Sequence, residues 1–217
     1  MYDKDYTEIG LDEVGRGALA GPVVTGAIVL PETNQFICEI RNNIPSWNID
    51  GIVIRDSKLL SALQRERANE WLRAHAVSFG IGVGSVTKIN TKGIVKATNF
   101  AFRSCIREVT KITYPLPDVL LIDAFFVPKV DHYPKSKQRP IVHGDRLNVH
   151  IAAASIIAKV SRDNLMEKLS QREEYREYLW AKNKGYGTKE HLEAIRKFGT
   201  TKHHRKLYVR NVLQNVN

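Results

Sequence analysis

The chain has 217 residues, 43% of them hydrophobic and 26% charged, which suits one domain with at most a small appendage and excludes a large multidomain machine or a disordered tail. Its longest uncharged stretch, residues 17–31, is shorter than the roughly 20 apolar residues of a membrane helix and is broken by Gly17, Gly21, Pro22 and Gly26, so no transmembrane span is expected. The net charge of +10 is lopsided: residues 1–100 carry 11 basic and 11 acidic side chains and residues 101–217 carry 22 and 12, a pattern that suits a polyanionic partner such as nucleic acid.

Residues 7–12 and 22–30 are short, β-branched runs bounded by glycine and proline, which predicts two strands joined by the GRGALAG turn. Ser61 and Gln64 form a capping-box pattern ahead of a helix over about 61–76, carried by Leu63, Trp71 and Leu72. A third strand is predicted over 79–86, completing an antiparallel meander with the first two. Thr91 is the expected cap of a second helix, whose apolar stripe runs from Ile94 to Val109 and which ends near Lys111. Val119 to Ile122 reads as a strand buried on both faces and ending in Asp123, and Ile141 and Val142 as a weaker strand leading to Gly144-Asp145.

Residues 151–169 predict a long helix, followed by charged helical segments, a further cap at Thr188 and a stop at Gly199. The pattern is that of an α/β domain over 1–170 with a basic helical C-terminal section over 171–217. Cys38 and Cys105, far apart and outside any CxxC pair, are read as buried hydrophobes. The opening MYDKDYTE lacks an apolar leader pattern, so the expected compartment is the cytoplasm.

Acids at strand ends are the chemical signal. Asp12 and Glu13 end the first strand, Asp123 the central run, and Asp145 follows another strand-like segment. The ends of adjacent strands form the usual site of an open α/β sheet. Carboxylates gathered there repel unless a hard cation neutralises them, and an all-oxygen set suits Mg²⁺ or Mn²⁺ rather than zinc. Successive strand side chains point to opposite faces, which leaves a main-chain carbonyl as the contribution open to one of Asp12 and Glu13. Asp163, in the helical AKVSRDN, is either near this cluster or an ordinary helix-surface acid.

The motifs IGLDEVGRGALAGPVV (9–24), DSKLLS (56–61), LLIDAF (120–125), HGD (143–145), IAAASIIAKVSRD (151–163) and NKGYGTKEHLEAIRKFGTTKHHRK (183–206) resemble bacterial ribonuclease HII, in family order over nearly the whole chain. The resemblance implies a ribonuclease H-like fold, a five-stranded mixed sheet flanked by helices with a C-terminal helical extension. It implies an endonuclease that uses Mg²⁺ or Mn²⁺ to cut the RNA strand of RNA/DNA hybrids and to incise duplex DNA 5′ to single ribonucleotides. Asp12, Glu13, Asp123 and Asp145 match the family's four catalytic, metal-holding acids, and Asp163 is left a supporting role.

By the same resemblance Gly15, Arg16 and Gly17 form the loop that contacts the ribonucleotide 2′-hydroxyl, Tyr186 the ring that stacks on the neighbouring sugar, and Ser57 and Lys58 a phosphate contact. Thr188, Lys189 and the basic run through Arg205 and Lys206 suit duplex backbone contact. His203 and His204, adjacent and without a third ligand, point to phosphate or structural contacts rather than zinc. Leu59, Arg146, Leu147 and Leu207 depart from the family pattern, which bears on substrate grip. A monomer is expected, and the ending VLQNVN lacks the paired aromatics of a sliding-clamp peptide. The alternative is a nucleic-acid-binding protein of the same fold without turnover.

Overall fold

The structure, a computed structural model, describes residues 7–32, 35–41 and 44–214. The opening residues 1–6 and the last three, on which the leader and clamp expectations partly bear, lie outside the described residues.

Strands β1 (Glu8–Val14) and β2 (Val23–Val29) are followed by a small excursion of β3 (Ile37–Arg41), β4 (Ile44–Ile49) and β5 (Ile52–Ile54). Then come a 3-10 turn at Ser57–Leu59, α1 (Ala62–His75), β6 (Ser78–Gly84), α2 (Val86–Lys92), α3 (Ile94–Thr110), β7 (Val119–Asp123) and β8 (Gln138–Ile141). Helices α4 (Gly144–Leu147) and α5 (Val149–Ser170) precede a 3-10 segment at Glu173–Tyr178, α6 (Trp180–Asn183), α7 (Lys189–Phe198) and α8 (Lys206–Gln214).

The main sheet has five strands in the order β6-β2-β1-β7-β8. Its first three form the expected antiparallel meander, and β7 and β8 run parallel to β1. Helix α3 covers one face, packing Phe102, Cys105, Ile106 and Val109 on Ile9, Leu11 and Ile122. Helix α5 covers the other, burying Ala152, Ala153, Ile156 and Ile157 against Ile28 and Leu72. The approach is close because Gly10 and Gly26 face α5: a Cβ there would stand 2.1 Å from His150 O and 2.5 Å from Ala154 O. No helix among the described residues is long and apolar enough to cross a membrane.

Three local expectations are corrected. Ser85, not Thr91, caps the helix after β6, accepting the Lys88 N–H, and Gly93, at φ 82°, separates α2 from α3. A serine at the strand end and a glycine that turns the backbone left-handed outcompete a mid-helix threonine, whose hydroxyl instead bonds back to Thr87 O. Cys38 is exposed on β3, while Cys105 is buried as expected. The β3-β4-β5 sheet has no counterpart in the sequence reading; its β4–β5 turn is Asp50-Gly51, both residues at positive φ.

The chain beyond α5 folds back on the start of the molecule. Tyr175, Tyr178, Trp180, Ile195 and Val209 form a third cluster with Leu19, Ala20 and Met166.

Candidate active site

The strand register brings the first two acids together. Leu11 of β1 pairs with Ile122 of parallel β7, so Asp12 and Asp123 follow at the same end of neighbouring strands. Asp145 arrives by a different route. After β8 the chain turns through His143, at φ 57°, into α4, whose Gly144 N–H donates to Asp123 Oδ1 at 2.9 Å. Asp12 and Asp145 are buried, at 5% and 4% exposure.

These acids act on one another's charge. Burial, followed by the charges of Glu13, Asp123 and Asp145, pushes the Asp12 carboxyl well above its ordinary range. Burial raises Glu13 to about 7, against the pull of Arg16. Burial also raises Asp123, partly offset by the Gly144 N–H. Strand β1 stays regular through Val14, so Asp12 and Glu13 leave it on opposite faces. Asp12 Oδ1 accepts the Glu13 N–H at 2.7 Å, and Glu13 Oε1 takes Arg16 Nη1 at 3.3 Å. Glu13 Oε2 is buried without a hydrogen-bond partner among the described residues.

One cation already stands in the cluster. Lys58 Nζ lies 3.0 Å from Asp145 Oδ2 and 3.9 Å from Asp56 Oδ1. Burial works against this ammonium, but the bond to Asp145 and the nearby carboxylates outweigh it and raise its pKa. Asp56, fully buried, caps the 3-10 turn by accepting the Lys58 N–H at 3.0 Å and takes Arg146 Nε at 3.2 Å. Two ion pairs therefore tie the 56–58 loop to α4. Ser57 is buried, with its N–H on Ser155 Oγ at 3.3 Å.

The donor set fits a hard divalent cation: carboxylates held together against their mutual repulsion, an orphaned Glu13 oxygen, and a lysine ammonium as counter-charge. Among the described residues no three His, Cys, Asp or Glu side chains form a ready-made cage; Lys58 holds Asp145 Oδ2 instead.

Of the other residues expected to read substrate, Arg16 reaches the acids through its pair with Glu13. Gly15 is buried at φ 86°, while Arg16 and Gly17 are exposed. Gly185 O accepts the N–H groups of Leu19 and Ala20 at 2.8 and 3.1 Å, strapping the loop that carries Tyr186 to the end of the GRG turn. Tyr186 is 37% exposed, with the Arg162 guanidinium 5.2 Å from its ring centroid. Its carbonyl faces His191 Nδ1 at 2.8 Å. Asp163 pairs with Lys159 at 2.8 Å along α5 and makes no bond to the four acids.

The C-terminal basic run needs one correction. Arg205 is fully buried and bonds to main-chain carbonyls, so it is not a surface contact for duplex. His204 is likewise buried, against His191 and Thr201. The sequence reading also passed over Asp56, Arg162 and His191. Arg162 had a signal: it extends the Ala154, Ala158 spacing of the buried α5 face, where a charge is out of place.

Comparison with known proteins bears on the family and the fold. The sequence matches the model of one protein family, described as Ribonuclease HII, over residues 9–216. It is 40% identical over 213 residues to the ribonuclease HII of Clostridioides difficile (strain 630), covering 98% of this chain and 74% of that one. Among solved structures, the ribonuclease H2 of Pyrococcus horikoshii OT3 superposes with a TM-score of 0.64 at 22% identity, covering 96% of this chain and 98% of that one. Bst-RNase HIII in complex with Mn²⁺ gives 0.67 at 19% identity, covering 96% and 70%.

Proposed function

The chain belongs to the ribonuclease HII family and is a metal-dependent ribonuclease H; from that premise we propose that it cuts the RNA strand of RNA/DNA hybrids and incises duplex DNA 5′ to a single embedded ribonucleotide. The observation that carries the reading is the meeting of Asp12, Asp123 and Asp145 at one end of β1 and β7, with Lys58 as their counter-cation.

Asp12, Glu13, Asp123 and Asp145 would hold Mg²⁺ or Mn²⁺. A pair of such ions supplies water activation and stabilisation of the leaving 3′-oxygen, leaving 5′-phosphate and 3′-hydroxyl ends. The rest is the work of the chain. The buried end of the sheet excludes bulk water from Asp12 and Asp145, which strengthens the pull of their carboxylates on a cation. Gly144 orients Asp123 through its N–H. Lys58, 72% exposed at its side chain, balances the Asp145 charge from the solvent side and is placed where its ammonium would meet a phosphate. Gly15 to Gly17 and Tyr186 face the sugar at the cut, and the basic C-terminal section, Lys189 included, tracks the duplex. Asp163, held by Lys159, supports the α5 face beside the site.

We read the active species as a cytoplasmic monomer. The test is cleavage of an RNA/DNA hybrid, against single-stranded RNA, in Mg²⁺ and in Mn²⁺, with end analysis of the products. The reading expects cuts in the hybrid alone, with 5′-phosphate ends; an uncut hybrid in both metals contradicts it.

A further inference from the structure

We propose that Arg205 is a positioning residue for ribonucleotide recognition: it takes the carbonyls of Gly15 and Arg16, and so turns the N–H groups of Arg16 and Gly17 outward to the substrate. The inference rests on the function proposed above.

Arg205 is fully buried. Its Nη2 donates to Gly15 O at 2.7 Å, Nη1 to Arg16 O at 2.8 Å and Nε to Gly21 O at 3.0 Å, so one guanidinium grips both ends of the GRGALAG turn. Its own N–H bonds to Leu19 O at 2.8 Å. Arg162, also fully buried, holds the far side through Ala20 O and Pro22 O at 3.2 and 3.1 Å. Neither guanidinium is in a salt bridge among the described residues. Burial, with the Arg162 charge beside it, lowers Arg205 to about 10, which leaves it charged at neutral pH.

Two buried cations without carboxylates are a poor way to gain stability, since apolar side chains of similar volume serve a core as well or better. What the fork gives is direction. In a trans peptide the C=O and the following N–H point opposite ways. With the Gly15 and Arg16 carbonyls turned inward onto Arg205, the N–H groups of Arg16 and Gly17 must turn outward. Both residues are exposed, and neither N–H has a partner among the described residues. Successive N–H groups presented this way, with positive charge behind them, suit an acceptor oxygen such as a ribose 2′-hydroxyl or a phosphate oxygen. A glycine-flanked turn without the fork would be free to flip its peptides. A lysine could supply the charge but not the planar fork.

The test compares wild type with Arg205→Lys and with Val209→Ala, whose buried apolar side chain packs in the same cluster but makes no hydrogen bond to the Gly15 and Arg16 carbonyls. Binding is measured in Ca²⁺ by fluorescence anisotropy to two DNA duplexes identical but for one ribonucleotide. The proposal expects wild type to prefer the ribonucleotide duplex and Arg205→Lys to lose about tenfold of that preference, the worth of a hydrogen bond or two. Affinity for the all-DNA duplex should stay within about twofold, and Val209→Ala should lower the melting temperature yet keep the preference. Equal weakening on both duplexes, or no change in either, overturns the proposal. A second measurement needs no variant: amide exchange of Arg16 and Gly17 should slow more on the ribonucleotide duplex than on all-DNA, and equal exchange overturns the proposal. Cleavage by wild type, run alongside in Mg²⁺, separates the layers. A chain that cuts neither hybrid nor ribonucleotide duplex removes the function beneath the proposal, and the proposal with it; a chain that cuts, with Arg205→Lys keeping full preference, removes only the proposal.

Discussion

Lys58 Nζ sits 3.0 Å from Asp145 Oδ2, a monovalent cation inside a cluster of acids whose neighbours are driven toward the protonated form. A divalent ion held by the proposed acid set would therefore compete with the lysine for one oxygen. Replacing Lys58 with Met is expected to move the Mg²⁺ midpoint for thermal stabilisation to lower concentration while raising KM for duplex, because the competing ammonium and the phosphate contact leave together. Melting curves across a Mg²⁺ titration, with steady-state cleavage, check both; a Mg²⁺ midpoint that rises would show that Lys58 helps rather than competes.

The acids also set how stability depends on pH. Glu13, held at about 7, and Asp12, raised well above its ordinary value, keep protons in the folded chain that the unfolded chain gives up earlier. Their contribution is present below the unfolded carboxylate range and is lost as pH rises through their folded values. If these carboxyls hold the ion as proposed, it takes the place of the proton, so Mg²⁺ should raise the melting temperature more at about pH 8 than at about pH 6. Equal shifts at the two pH values would argue that these carboxyls do not bind the ion.

Asp56 lies under the site rather than in it, joining the cap of the 56–58 turn to Arg146. Asp56→Asn keeps the capping oxygen but discards the charge that faces Arg146 and Lys58. It should destabilise by about 1–3 kcal/mol, the usual cost of disturbing a buried polar partner. Arg146→Met should cost less than about 1 kcal/mol, since that side chain is 46% exposed and the pair is screened on its side. Denaturant midpoints measure both; the reverse order would contradict the structural role given to Asp56.

The two buried histidines form a fixed chain. Thr201 N–H donates to His204 Nδ1 at 2.9 Å, leaving the proton on His204 Nε2 to face His191 Nε2 at 3.2 Å, which also accepts the Trp180 N–H at 3.0 Å. His191 Nδ1–H then donates to Tyr186 O at 2.8 Å. Burial, then the neighbouring histidines, holds His204 at about 3, and burial lowers His191 too. The unfolded chain binds these protons first as pH falls below about 6.5, so their contribution to stability is lost in that direction, opposite to the acids. His204→Gln should be less stable at neutral pH and should flatten the decline between about pH 6.5 and 4. A variant whose curve runs parallel to wild type would show that His204 takes up protons equally in the folded and unfolded chains, against the lowered folded value.

Much of this was legible in the sequence because it rests on local rules. The meander, the long α5 and the caps at Ser61 and Thr188 follow from periodicity and from side chains that bond their own turn. The placing of acids at the ends of β1 and β7 follows from where apolar runs stop. What escaped was set by long-range partners. Arg205 reads as one more basic residue in a basic tail until the fold carries it to Gly15, 190 residues away. Asp56 reads as a loop acid until Arg146 meets it. The small sheet was within reach, since Asp50-Gly51 between apolar segments is a hairpin signal, but Pro45 and the short β5 weakened the alternation around it.

The most direct measurement is Mg²⁺-dependent incision of a DNA duplex containing one ribonucleotide by wild type and by Asp12→Asn, beside an all-DNA control. The account predicts a cut 5′ to the ribonucleotide in wild type, none in the control, and loss of cutting with duplex binding retained in the variant. Binding without incision by wild type in either Mg²⁺ or Mn²⁺, or undiminished cutting by Asp12→Asn, would contradict it.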